Sequence, residues 1–278
     1  ILLHKANTKQ FKNNANKYNF LTIRISKGVY NVKKTLHLSS YTAIDLNKSF
    51  IKNANYERGN IFKSPEDKEY PKYSSLTWCI IKNGTLDGNF NRNKSCILRL
   101  CHSNNVKIEN VTFLNNYYSH HAELASCQNV TFYNCVFNGQ LSNLNVNSSE
   151  AVQIDILDRV HFFGFTSYDN TMNDNITIEN CVFKNVYRGV GTHNYFKNLY
   201  QTNIKILNCT FENITDCAIS AVNFKNIDVS EEVVGESIIV GAAMIDRYGK
   251  GLLKLMLGDG SPKECIEFCE SEEKDSMS

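Results

Sequence analysis

The stretch NNVKIENVTFLNN, residues 104–116, holds two apolar pairs of period two, Val106/Ile108 and Val111/Phe113, with Asn110 between them. Period two marks strands, and asparagine tolerates the left-handed backbone of a sharp turn. Three further segments align with it without gaps: CQNVTFYNCVFNG (127–139), NDNITIENCVFKN (173–185) and QTNIKILNCTFEN (201–213). The shared pattern is N-apolar-x-apolar-x-N-(C/V)-x-F. Its leading asparagines, Asn105, Asn129, Asn175 and Asn203, fall 24, 46 and 28 residues apart. Short strands and turns repeating in the low twenties predict a solenoid.

If successive coils stack at about 4.8 Å, equivalent residues lie above one another. Phe113, Phe137, Phe183 and Phe211 then form an interior stack, and Cys135, Cys181 and Cys209 a second one. Asn110, Asn134, Asn180 and Asn208 form a ladder along a turn. The chain has 10 cysteines, none in a CxxC pair. Small apolar core residues explain them better than zinc or redox motifs.

The pattern resembles the right-handed parallel β-helix of pectate-lyase-like proteins, in which an asparagine ladder marks one turn. The segments IRISKGVYNVKKTLHLSSYTAIDLNKSFIKN (23–53) and IIKNGTLDGN (80–89) look like the entry coils of that superfamily. The resemblance covers residues 21–226. It implies an all-β, single-stranded solenoid with loop excursions, a fold shared by lyases, hydrolases, epimerases and non-catalytic fibres. Residues 1–20 are then an N-terminal flank or cap and residues 21–229 the β-helix. Residues 230–278 form a non-repeat segment ending in a solvated tail. Within that segment, ESIIVGAAMIDRYGKGLLKLML (236–257) suits a strand and a short helix.

A net charge of +2 with 21% charged residues, and no long basic run, argues against nucleic acid as a partner. No apolar run reaches the roughly 18 residues of a membrane span. No signal-peptide pattern is visible in the opening ILLHKANTKQ. A secreted or cell-surface location is expected all the same. The sequence sets no oligomeric state.

Each coil needs a third strand after its Phe. HHAELASC (120–127), EAVQIDIL (150–157), RGVGTHN (188–194) and CAISAVN (217–223) fill that place. Alternation points Ala122, Leu124, Val152, Ile154, Val190 and Thr192 inward. It points His121 and Glu123, Gln153 and Asp155, and His193 outward on successive coils. Gly189 and Gly191 are expected to leave room beside His193 for a ligand. Glu150 has inward parity, and a junction position turned towards a cleft or onto the turn backbone suits it better. Arg188 suits either an acidic sugar or an ordinary surface. The 46-residue interval reads as one coil with two excursions. Phe137 to Gln153 spans 16 residues against 10 in the neighbouring coils. Asp155 to Asn175 spans 20 against 6 from Glu123 to Asn129. Loops on both sides of a strand make the walls of a cleft. Any one of these polar residues alone is most simply a solvated strand face, but their convergence between two loops favours a site.

Glycoside hydrolysis needs one protonated and one ionised carboxyl group across the bond. Glu123 and Asp155 are the expected pair, at a separation of ~6–9 Å that suits inversion. Mutual repulsion would raise one pKa and supply the acid. His193 or His121 would orient a carboxylate or bind a sugar hydroxyl. Gln153, Glu150 and Arg188 would bind substrate, a polysaccharide or oligosaccharide. The resemblance points the same way. H-x-E, E-A-V-Q-I-D and G-x-G-T-H on successive coils look like a set found in bacterial β-helix proteins that process polysaccharides. The clustered aspartates of polygalacturonases are absent. Calcium-dependent pectate lyases of this fold pair an acidic metal site with an Arg or Lys base, and the column offers no basic residue besides Arg188, which weakens the calcium-lyase reading. No metal or other cofactor is expected; Ca2+ enters only if the chain is a lyase. A lyase or epimerase using His and an acid, or a non-catalytic glycan-binding or fibre module, are the alternatives to a glycosidase.

Overall fold

In the computed structural model of the chain, the residues described are 19–55, 57, 59–65, 70–92, 94–141, 149–157, 168–192, 194, 196–230, 240–241 and 254–255. Among them there is no helix. Nineteen strands join in one sheet, and every pairing is parallel. The sheet winds into the expected parallel β-helix. One interior column shows the winding: Ile23, Ile44, Ile81, Ile108, Phe132, Ile178, Ile206 and Val229 are successive register partners. All eight are buried.

Corners follow from asparagine chemistry. Asn105, Asn110 and Asn115 all have positive φ, near 53°, as do Asn175, Asn180 and Asn185, and Asn203, Asn208 and Asn213. Along this part of each coil the chain turns every five residues, at sites where asparagine is one of the few residues to adopt left-handed backbone readily. The expected ladder is present: Asn134 Nδ2 donates to Asn110 Oδ1 at 2.7 Å, and Asn208 Nδ2 to Asn180 Oδ1 at 2.5 Å. A further ladder, not anticipated from the repeat, runs from Asn213 to Asn185 at 2.6 Å and from Asn185 to Asn138 at 2.9 Å.

The interior stack is as expected. Phe113, Phe137, Phe183 and Phe211 follow one another with ring centroids 4.9, 4.8 and 4.7 Å apart and planes within 9°. The strand spacing sets that distance, and stacked rings add about 0.5–1.5 kcal/mol per pair beyond burial. Cys135, Cys181 and Cys209 are buried free thiols. Each donates to carbonyls of its own and the preceding coil.

The 46-residue interval is a single coil, because strand Gln128–Tyr133 pairs directly with Asp174–Glu179 and Phe137 directly with Phe183. The two excursions leave on either side of strand Glu150–Asp155. Beyond residue 230, Val240–Gly241 pairs with Ile219 and Ser220, and Lys254–Leu255 pairs with Asp228 and Val229. The rest of residues 230–278, including the helix expected there, and residues 1–18 lie outside the described residues.

Candidate functional site

The third strands stack as Leu98–Cys101, Ala122–Ala125, Glu150–Asp155 and the end of Val182–Thr192. Leu98, Ala122, Val152, Val190 and Ile219 are register partners and face the core. One residue further along lie Arg99, Glu123, Gln153, Gly191 and Ser220. Glu123 and Gln153 therefore share one outer column, as alternation predicts. Asp155 stands opposite Ala125, one coil and two residues from Glu123. His193, the remaining expected member, lies outside the described residues.

Alternation fails just before these strands begin. His121, expected on the outer face, is fully buried and meets the ring of Phe137 edge-on at 6.1 Å. Neither of its ring nitrogens makes a hydrogen bond of good geometry. Burial pushes its pKa down to about 3, against weak support from backbone at Asn138 and Gly139. The strand starts only at Ala122, and at the preceding corner both His121 and Ala122 turn inward. His120, beside it, is buried as well. It belongs to a corner column of equivalent positions, Cys96, His120, Glu150, Arg188 and Cys217, two residues before the core column above. This also explains Glu150, which opens its strand rather than lying in the middle of it.

Ion pairs dominate the corner column and its neighbour. Arg99 Nε donates to Glu123 Oε2, and Cys96 Sγ donates to the same oxygen at 2.8 Å. Burial pushes the Glu123 carboxyl up, but the Arg99 guanidinium, with His120 and the Cys96 thiol, outweighs it and holds the group below its ordinary range. Glu150, fully buried, accepts from Arg188 Nη1 at 3.2 Å, and its other oxygen is 3.7 Å from His120 Nδ1. His120 Nδ1 donates to the Glu150 carbonyl at 2.8 Å. Arg188 also donates from Nε to Asp216, and its guanidinium lies 5.6 Å from the Tyr187 ring centroid.

Asp155 is held differently. Its Oδ2 accepts from Gln153 Nε2 at 2.9 Å and from Asn194 Nδ2, and its Oδ1 from the Ile156 N–H at 2.8 Å. Asn173 Nδ2 donates to the Asp155 carbonyl at 2.5 Å. Cys101, Ala125 and Asp155 share an outer column yet are at most 2% exposed. Leu157 and Tyr168, from the second excursion, pack on Cys101 and Ala125 in a cluster separate from the main core.

Two expectations need correction. The glycines do not open a ligand approach: a Cβ on Gly189 would lie 2.4 Å from the Phe211 ring and the Ala218 carbonyl, and one on Gly191 2.1 Å from the Ser220 carbonyl. They are packing glycines, and Gly191 also has φ +150°. Nor does repulsion make Glu123 an acid; Arg99 reverses the sign. Arg99 was legible in CILRLC (96–101), where Leu98 and Leu100 alternate with it one coil before Glu123, but that coil lacks the repeat pattern that located the others. Among the described residues no three His, Cys, Asp or Glu side chains are grouped to hold a metal ion.

No family model matches the chain. It is 26% identical over 281 aligned residues, 80% of its length, to plasmin and fibronectin-binding protein A of Streptococcus pneumoniae. The chain spans only 36% of that curated relative. Two solved structures of the Streptococcus pneumoniae surface adhesin PfbA are similar at TM-scores of 0.64 and 0.65, with 25% and 26% identity. They cover 74% and 75% of this chain, which spans 56% and 52% of theirs. The chain is thus similar, in sequence and fold, to these surface adhesins.

Proposed function

We propose that the chain is a non-catalytic binding module of a cell-surface protein, an adhesive β-helix whose ligand is an extracellular protein. The observation that carries this reading is the state of the carboxylates. Glu123 is 4% exposed, paired to Arg99 and held ionised, so it is neither a proton donor nor free to take a proton from an attacking water. Glu150 and Asp155 are fully buried, each with its own donors. Paired, shielded acids hold coils together; catalytic acids must meet substrate. The similarity to a protein named for binding plasmin and fibronectin supports the same reading, which retains the non-catalytic alternative and replaces a glycan by a protein as partner.

Polysaccharide cleavage, in the manner of pectate-lyase-like proteins, keeps one observation in its favour. Glu123 and Asp155 stand one coil and two residues apart on the outer face of the third strands, the neighbouring-coil placement expected of an acid pair. The test sets both readings against each other. Surface plasmon resonance over immobilised fibronectin and plasmin is expected to give saturable binding. A glycan panel assayed for new reducing ends and for unsaturated products is expected to stay silent. Turnover that disappears in Glu123→Gln or Asp155→Asn would overturn the proposal, as would failure to bind either protein.

A further inference from the structure

Two strand faces of each coil share one build. The spans Asn105–Asn110 and Asn110–Asn115, and likewise Asn175–Asn180 and Asn180–Asn185, run between corners of positive φ, and each points two side chains inward and two outward. The backbones match, but the compositions do not. On the first face the outward places hold charges on coil after coil, among them Lys82, Lys107, Glu109, Glu179 and Lys205. On the second face one outward column holds none over six successive coils. Phe50, Thr85, Thr112, Val136, Val182 and Thr210 are register partners there, and all are partly exposed. Strand propensity favours valine and threonine on both faces alike, so it does not account for the difference. Charge on the second face is kept to the neighbouring column, where Lys184 and Glu212 pair at 2.8 Å.

This strip has the anatomy of a protein contact, in which charge is excluded from the centre and polar groups form the rim. The uncharged column runs between two exposed amide ladders, one through Asn110 and Asn134 and one through Asn185 and Asn213. With coils about 4.8 Å apart, the six positions span about 24 Å, and the face is about 17 Å wide from ladder to ladder, or about 400 Å². Two copies meeting flat on this strip would bury about 800 Å² in all, short of the roughly 1,200–2,000 Å² of a stable complex. A second copy therefore fits poorly, whereas a protein of another shape can continue past the ladders and around the corners. The third-strand face offers such a partner little, since Glu123 and Asp155 are at most 4% exposed.

We propose that this column, centred on Thr112 and Val136, docks the extracellular protein ligand through an apolar, uncharged patch on that protein. The assignment rests on the reading of the chain as a protein-binding module.

The experiment is surface plasmon resonance over immobilised fibronectin and plasmin with the full chain as wild type, Val136→Lys and Val182→Lys. Thr131→Lys and Thr177→Lys are the controls, because they add the same charge at outward places of the same coils on the first face. The second-face variants are expected to weaken binding about tenfold or more, since a lysine at the centre of a contact loses water without gaining a partner, and the controls less than about twofold. Thr112→Lys repeats the test where a valine variant loses its cooperative thermal melt. Three results would overturn the assignment alone: second-face variants that bind as wild type does; an equal loss in the controls, which makes net charge the cause; or sedimentation in which wild type dimerises and Val136→Lys does not, which makes a second copy the occupant. Wild type that binds neither protein would overturn the reading itself, and the assignment with it.

Discussion

Replacing Glu123 by alanine separates a structural carboxylate from a catalytic one by the sign of its effect on stability. The side chain of Glu123 is 5% exposed and that of its partner Arg99 18%. Removing the carboxylate leaves the guanidinium shielded without its counter-charge, and the Cys96 thiol without its acceptor. Breaking a buried pair from one side costs about 3–5 kcal/mol. For a domain of this size each kcal/mol shifts Tm by about 2–4 °C, so a fall of about 6–20 °C is expected. Circular dichroism melts at neutral pH measure it. The pH dependence carries a second check. The folded-state pKa of Glu123 is depressed, so its contribution is present above the unfolded value and is lost as pH falls through the folded one. The gap between wild type and Glu123→Ala should therefore be wide at pH 7 and close below pH ~4.5. Replacing both partners, Arg99→Met with Glu123→Leu, should restore much of the loss, because no unpaired charge remains. A Tm unchanged within about 3 °C, or raised, would refute the reasoning. Catalytic residues are commonly held against stability, and that outcome would return Glu123 to the list of candidate acids.

Two further substitutions test the fold beside the site. Gly191→Ala places a Cβ 2.1 Å from the Ser220 carbonyl at φ +150°; it should cost more than about 2 kcal/mol in denaturant unfolding, and a neutral result would mean that the two coils are not in this contact. His121 is buried with its pKa pushed down to about 3, so the unfolded chain takes up its proton first and stability falls as pH drops from about 6.5 towards 3. Its share of the loss between pH 7 and pH 5 is about 2 kcal/mol, and His121→Leu should flatten that part of the profile; an unchanged slope would place His121 in water.

Individual residues show what could be read from the chain alone. Asn110, Asn134, Asn180 and Asn208 betrayed the corners because few other residues tolerate left-handed backbone at so little cost. Phe113, Phe137, Phe183 and Phe211 betrayed the stack because a solenoid turns a sequence period into a spatial column. The unequal spacing around Glu150–Asp155 located both excursions, since strands of fixed rise cannot absorb extra residues. Each of these inferences uses local geometry repeated at a regular interval.

Where the chain bends between regular strands, that logic stopped. Parity carried back across a corner sent His121 outward, while the corner in fact buries it against Phe137 beside the inward-facing Ala122. Gly189 and Gly191 looked like openings, because a sequence does not show that Phe211 and the backbone at Ala218 and Ser220 occupy the space. Charge state was hidden as well. Whether Glu123 is an acid, a base or one half of an ion pair depends on Arg99, which lies 24 positions away in the chain and 1 coil away in space. The sequence by itself determined the solenoid, its corners and the coil that carries the excursions, because these follow from strand period and backbone preference. Only the tertiary structure decided the protonation and the accessibility of the carboxylates, because both are set by groups from different coils that come together when the coils stack.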